Sequence, residues 1–163
     1  MITDYTSFED VRAALGVSEE EIADGTLELE SFATLLDEDL REINAGLPAI
    51  FLSLAADEAN WTANQRRLVG LIKLYATYAI AFRLLDSSEL FGFLRVADGR
   101  ASTERVPDAY RNLRANITAM LGRIKAKLIA ALLLVYPGLS VPTLAAVSYF
   151  SAVGIATDPV TRA

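Results

Sequence analysis

Cysteine and histidine are both absent from this chain of 163 residues. The absence of cysteine excludes disulfides, thiolate metal sites and cysteine nucleophiles. The absence of histidine excludes a Ser-His-Asp triad, imidazole acid–base catalysis and histidine-ligated zinc. The sequence also lacks the phosphate-binding patterns GxxxxGKS/T and GxGxxG. We therefore predict that the protein is not an enzyme, and we expect no catalytic residue, cofactor or metal.

The chemical groups that remain for catalysis are carboxylates, hydroxyls and amines. Four carboxylates lie close together in the sequence, at Asp37, Glu38, Asp39 and Glu42, and paired carboxylates can bind Mg²⁺ or act as acid and base. Adjacent helical positions point in different directions, so a charged face in solvent is the favoured interpretation, and a carboxylate metal enzyme is a third hypothesis. Lys73 has two interpretations, a desolvated amine within an apolar helix or a surface lysine whose stem lies along that helix, and the second is favoured.

Length and composition predict one domain with a sizeable core. Hydrophobic residues make up 53% of the chain, which is too many for a disordered protein.

The net charge of −6 argues against a generally basic nucleic-acid binder. The N-terminal segment MITDYTSFED lacks the basic and apolar stretches of a signal peptide, so we expect synthesis in a cytoplasm.

Charge is distributed unevenly along the chain. Residues 1–60 carry 15 acidic and two basic side chains, whereas residues 95–127 carry eight basic and three acidic ones. Two interpretations remain: solvated faces that differ by chance, or an acidic face of one subunit that meets a basic face of the next. Complementary charge of this kind sets register and partner choice more than affinity.

Three sustained apolar stripes predict an all-α fold. They indicate antiparallel helices near residues 26–44, 62–85 and 107–136. The second of these is apolar over more than one face, so it is expected either in the centre of a bundle or against a second subunit.

Local signals place several helix ends. Thr6 and Ser7 are both candidate N-caps of a short N-terminal helix, and Gly16 predicts its end. Thr62 is a predicted N-cap, and Pro107 suits a first helical turn. Pro48, with Gly46, is predicted to end the helix over 26–44. For residues 49–60 the sequence allows two alternatives, an extension of a helix or a segment that packs over the core.

The C-terminal third divides into a loop, a helix and a tail. Residues 86–106 are predicted to form a loop or short hairpin, because Asp98-Gly99 is a turn signal. On the helix that follows, Arg111 and Arg114 share one flank with Lys125, and Arg123 and Lys127 occupy the other. We assign residues 1–137 to a helical bundle domain and 138–163 to an extended C-terminal docking tail.

The C-terminal region raises the question of a membrane. Residues 128–157 contain no charged side chain and exceed the roughly 20 residues that span a bilayer. Pro137 and Pro142 interrupt the stretch, so docking onto another protein is favoured and no membrane partner is expected. A small membrane-active, holin-like protein is the alternative function.

Three stretches resemble the head–tail adaptor (connector) proteins of tailed bacteriophages. The opening YTSFEDVRAALGVSEEEIADGTLELESFATLLDEDL resembles the start of these proteins, and VADGRASTERVPDAYRNLRANI resembles their aspartate-glycine-basic loop and the following helix start. The ending GIATDPVTRA is similar to their DPVTG tail, with Arg162 in place of the glycine.

The resemblance implies a structural virion protein at the head–tail junction. Such adaptors are small helical proteins without enzymatic activity, and they usually form twelve-membered rings beneath the portal. The implied partners are further copies of the chain, the portal protein, the next tail or neck component, and genome DNA that passes through the lumen without sequence-specific binding.

The resemblance and the charge pattern together give three sets of candidate contact residues. The loop expected to contact the tail component contains Ala97, Asp98, Gly99 and Arg100. The residues expected at contacts between subunits are Arg111 and Arg114. The residues expected to dock into the portal are Tyr149, Phe150, Asp158, Pro159 and Val160.

Overall fold

A computed structural model describes residues 1–86 and 107–139. Within these residues the protein is all-helical and contains no β-strand, which confirms the predicted fold class. The α-helices are α1 (Phe8–Leu15), α2 (Asp24–Leu27), α3 (Glu30–Ile43), α4 (Leu47–Ala55), α5 (Ala63–Asp86) and α6 (Pro107–Val135). Short 3₁₀ turns cover Ile2–Asp4 and Glu58–Asn60.

The local signals at the ends of α1 and α5 are confirmed. The Ser7 hydroxyl accepts a hydrogen bond from the backbone N–H of Asp10, and Gly16 ends α1 in the left-handed conformation at φ 69°. A side chain at Gly16 would strain this backbone conformation. At the start of α5, Thr62 and Gln65 form a reciprocal capping box, in which each side chain accepts from the other residue's backbone N–H.

The helix predicted over residues 26–44 is wrong at its start. The structure has the short α2, an extended residue at Leu29, and then α3 from Glu30. The side chain of Arg12 is buried, donates to the backbone carbonyl of Ile22 at 2.9 Å and pairs with Asp24. This contact between α1 and the start of α2 joins residues 12 apart, so helical periodicity alone does not reveal it.

Part of the segment 49–60, for which the sequence allowed two alternatives, belongs to α4. Pro48 does not close the preceding helix but lies, buried, in the first turn of α4. Proline is favoured at that place because the first turn needs no backbone N–H donor. Leu47, Phe51 and Leu54 then face the core at helical spacing.

Helix α5 is the centre of the bundle. It packs against α1, α3, α4 and α6, and its buried residues lie on more than one face. The buried side chains of α5 include Leu68, Val69, Ile72, Tyr75, Ala76, Ala79, Ile80, Ala81, Leu84 and Leu85. The sequence allowed this helix to lie either in the centre of the bundle or against a second subunit, and in the structure it lies in the centre of the bundle.

Helix α6 packs principally against α5. Its buried residues are Ile117, Ile124, Leu128, Ala131 and Leu132, which follow one stripe. The guanidinium of Arg114, early in α6, lies over the ring of Phe82, late in α5, so the two helices run antiparallel. The opposite side of α6 faces solvent.

Polar and aromatic contacts join the N-terminal helices to α5 and to one another. The hydroxyls of Thr6 and Thr77 are 2.6 Å apart in a buried hydrogen bond. Asp39 of α3 accepts a hydrogen bond from Arg83 of α5 at 2.8 Å. The rings of Tyr5 and Phe51 stack with centroids 4.6 Å apart. These contacts fix the order in which the helices surround α5.

We expect truncation of a leucine on the inner face of α6 to destabilise the bundle strongly. Leu128→Ala removes a fully buried side chain and leaves a cavity, which should lower the free energy of unfolding by about 2–5 kcal/mol. Leu134→Ala, on the same helix but 63% exposed, should change it by less than about 0.5 kcal/mol. Urea unfolding followed by circular dichroism measures both; equal losses would contradict the packing described for α6.

Candidate interaction surfaces

The surface of α5 and α6 is basic. Seven exposed cationic side chains project from these helices: Arg66, Arg67, Lys73, Arg111, Arg114, Arg123 and Lys127. Lys125 is half-buried, and the sequence contains no acidic residue from 111 to 139. From residue 63 to 85 and from 111 to 139, every charged side chain of this hairpin is therefore basic, and Arg83 pairs with Asp39.

The surface of α1–α4 is acidic. Its exposed carboxylates include Asp4, Glu9, Asp10, Glu19, Glu20, Asp24, Glu28, Glu30, Glu38, Glu42, Asp57 and Glu58. The only two basic residues of this region, Arg12 and Arg41, pair with Asp24 and Asp37. The charge imbalance along the sequence is thus also a separation in space, because α1–α4 come from the first 60 residues.

The predicted inter-subunit residues Arg111 and Arg114 are both exposed on α6. The Arg114 guanidinium carbon lies 5.6 Å from the centroid of the Phe82 ring. A cation–π contact of this kind retains the positive charge while it restricts the side chain. Arg114 therefore supports the hairpin of its own chain in addition to contributing to the basic surface.

The acidic cluster on α3 is divided between two arginines. Asp37 accepts from Arg41 at 2.6 Å, and Asp39 accepts from Arg83 at 2.8 Å. Glu38 and Glu42 remain exposed. In the described part of the chain, no three carboxylates converge in a way that holds a metal ion.

Lys73 is exposed and borders a shallow depression of about 400 Å³ at the start of α1. The carboxylates of Asp4, Glu9 and Asp10 lie on the same rim. Lys73 is the one basic residue among the residues that line this depression, so the acidic character of the α1–α4 surface reaches the edge of α5 there.

A surface that the sequence analysis did not single out lies on α4. The sequence has no charged residue from 44 to 56, and Ala49, Leu52 and Ser53 of α4 are exposed. The Leu52 side chain is 53% exposed although it is large and apolar. The signal that could have found this surface was the charge-free run itself, combined with the helical spacing of Leu47, Phe51 and Leu54.

Tyr75 of α5 lies beneath the acidic face of α3. Burial, followed by the nearby charges of Asp39 and Glu42, raises its pKa from 10.0 to about 12, and Arg83 offsets part of the rise. The tyrosinate is disfavoured because its charge would be desolvated and would face carboxylates. The negative field of α3 therefore extends inward to α5.

The other candidate contact residues lie outside the described residues. These are Ala97, Asp98, Gly99 and Arg100 of the loop, and Tyr149, Phe150, Asp158, Pro159 and Val160 of the tail. Their roles stay predictions. At the edge of the tail, Leu139 is half-buried against the bundle.

In the part of the chain that the structure describes, α5 is the helix that is long and apolar enough to cross a membrane. The qualifying segment is Ala63–Leu85, with a mean hydropathy of 1.6. Inside the bundle, 61% of this segment is buried. A core helix of a helical bundle passes the same test of length and composition, and α5 occupies that central position.

Comparisons of this chain with protein-family models, with curated proteins and with solved structures find no match. The resemblance to bacteriophage adaptors consequently rests on the three sequence stretches described above. The geometry of the surfaces is independent of that resemblance.

We expect Tyr75 to make stability fall at high pH. Its pKa is about 12 in the folded protein and 10.0 ordinarily, so above pH 10 the unfolded chain loses the proton first. Tyr75 then costs the fold on the order of 1 kcal/mol at pH 11 and almost nothing below pH 9. Urea unfolding at pH 8 and pH 11 measures the loss, and Tyr75→Phe should reduce it by that amount. The same loss in both proteins would show that Tyr75 ionises as freely in the fold as outside it.

Proposed function

We propose that this protein is a ring-forming head–tail adaptor of a tailed bacteriophage virion. In this proposal it joins the portal to the tail at the head–tail junction and lets genome DNA pass through its lumen. The observation that carries the proposal is the separation of an acidic surface on α1–α4 from a basic surface on α5 and α6. The resemblance of the three sequence stretches supplies the biological setting.

Two different surfaces of opposite charge favour a head-to-tail contact between copies. In a two-fold dimer one patch meets the same patch of its partner, so acidic and basic surfaces pair there only where both lie within that one patch around the axis. A head-to-tail contact instead pairs unlike surfaces, and it closes into a ring when the rotation between copies permits. The charge distribution of this chain supports the second arrangement.

The basic surface is better used between subunits than around DNA. Each phosphate that lysine or arginine neutralises adds affinity that depends on salt, and a channel through which DNA must slide works best without tight binding. We therefore place the cations of α6 at contacts between subunits. The portal and the next tail component would bind through the C-terminal tail and the loop 86–106.

A membrane-active, holin-like function that uses residues 128–157 is the alternative, and α5 is a second segment with the length and hydropathy of a membrane span. Insertion of α5 would require the central helix to leave α1, α3 and α4 and to exchange buried protein contacts for lipid. The burial of Leu68, Ile72 and Ile80 supports the adaptor more than this alternative. Recovery of the chain from cells without detergent separates the two functions.

We expect the purified chain, at sufficient concentration, to form particles of about twelve times 17.7 kDa. Exposed ion pairs contribute about 0–1 kcal/mol each, so a network is needed and salt should loosen it. Arg123→Glu combined with Lys127→Glu should shift the particles to subunits at low salt. Sedimentation velocity and native mass spectrometry give the masses.

The neutral pair Arg123→Gln and Lys127→Gln is the matched control and should weaken the ring less than the charge reversal. Arg111→Glu with Arg114→Glu should also weaken it, but Arg114 contacts Phe82, so circular dichroism must show that the fold is intact. Particle mass that stays constant across a wide salt range in all these proteins would contradict an electrostatic contact.

We expect a chain truncated after Leu139 to keep its bundle and lose its place in the virion. The helices α1–α6 and the packed Leu139 remain, whereas the proposed portal-docking residues are gone. Circular dichroism should show unchanged helicity for the bundle, and the truncated chain should fail to join tailless, portal-bearing heads in an assembly assay. If it joins them as well as the full chain does, the portal does not bind through residues 140–163.

A further inference from the structure

The last two turns of α6 expose an apolar patch beyond the last charged residue of the helix. Lys127 is that residue, and Ala130, Leu133 and Leu134 are exposed after it. The Leu134 side chain is 63% exposed and that of Leu133 is 39% exposed. At about 100° per residue the three positions share one side of the helix, opposite to its buried stripe. These three residues form the α6 end patch.

The backbone turns back toward the bundle directly after the α6 end patch. Helix α6 ends at Val135, and the backbone N–H of Leu139 donates to the carbonyl of Tyr136 at 3.1 Å. This bond closes a four-residue turn over Pro137 and Gly138, and a turn of this kind reverses the direction of the chain. Leu139 is half-buried and packs against the core. The chain therefore continues from a point beside the end of α6.

The segment that follows can reach the α6 end patch. Ala130 and Leu134 lie about 6 Å apart along the helix at roughly 1.5 Å per residue. Two or three extended residues span that distance at about 3.3 Å each. Residues 140–157 are therefore more than long enough to cover the patch after the turn at residues 136–139.

The composition of residues 140–157 matches the α6 end patch. The segment carries no charged side chain, and its large apolar residues are Leu144, Val147, Tyr149, Phe150, Val153 and Ile155. The end of α6 is also uncharged from residue 128 onward, so contact between the two buries apolar surface without desolvating a charge. The acidic surface of α1–α4 would impose that desolvation on its carboxylates.

We propose that residues 140–157 cover the α6 end patch of their own copy until the portal binds them. This inference rests on the proposed function, because it concerns the segment that is proposed to dock into the portal. A tethered segment meets its own patch at a high effective concentration, so the contact needs no second copy. Docking then exchanges one apolar contact for another. The cations of α6 all precede residue 128, so this contact leaves them to the contacts between subunits.

A second copy that places its own α6 end patch here fits less well. A stable interface between proteins buries about 800 Å² on each partner, and three side chains supply only a small part of that area. An attached segment needs less area, because the tether already keeps it near the patch. The tail of a neighbouring copy has the same composition as the chain's own tail, and the concentration dependence of the contact separates these two occupants.

Chymotrypsin tests the contact in the full chain, because it cleaves after the aromatic residues Tyr149 and Phe150 of the segment. Leu134→Asp places a charge in the α6 end patch and should raise the rate of cleavage there at least about fivefold, since cleavage follows the population of the open form. Leu52→Asp is the matched control: it changes a leucine of α4 that is 53% exposed and should leave the rate unchanged. Mass spectrometry identifies the cut sites, and circular dichroism should show equal helicity in all three proteins.

The outcomes separate this inference from the proposed function. Equal cleavage of Leu134→Asp and the unchanged sequence would overturn the contact. Cleavage of the unchanged sequence that slows as its concentration rises would overturn the intrachain contact in favour of a neighbour's tail. If Leu134→Asp is cleaved faster but neither chain joins portal-bearing heads, the cover on α6 stands, and its release by the portal falls with the proposed function. If both chains join the heads but are cleaved equally, the proposed function stands and this inference falls.

Discussion

The burial of α5 on several faces at once is the interaction on which the rest of the fold depends. Helices α1, α3 and α4 pack against it, and so does α6. A helix shorter than about 12–15 residues is marginal in water, and α1, α2 and α4 are all shorter than that. Their stability therefore comes from contacts with other parts of the chain: α1 packs on α5, α4 packs on both α3 and α5, and the start of α2 is held by Arg12 of α1. If α5 inserted into a membrane, the N-terminal helices would lose the helix against which they pack.

The separation of charge follows from this arrangement. Because the first 60 residues cover one part of α5 and α6 covers another, acidic and basic side chains end up on different surfaces. Within the described part of each surface, charges of like sign lie near one another and repel. The ion pair between Arg83 of α5 and Asp39 of α3 links the two surfaces. A second copy that brings its basic surface to the acidic one relieves repulsion in both, and this gives the proposed head-to-tail assembly its physical basis.

Much of the fold was predictable from the sequence by itself, because it depends on local rules. The helix caps at Ser7 and Thr62, the stop at Gly16 and the helices predicted over 62–85 and 107–136 depend only on neighbouring residues, and the structure confirms them. Local signals failed where a distant partner decides the conformation. Arg12 pairs with Asp24 at the start of a separate α2, and α3 begins only at Glu30. Pro48 lies buried in the first turn of α4 instead of ending α3.

For the candidate surfaces, the sequence determined the sign of the charges, and the tertiary structure decided where they lie. The imbalance between residues 1–60 and 95–127 is a property of composition and can be counted. The exposure of Leu52 and the open face of α6 depend on which side of each helix α5 covers. The sequence analysis also could not choose between a central α5 and one packed on a second subunit, because a stripe shows that a face is buried and not what buries it.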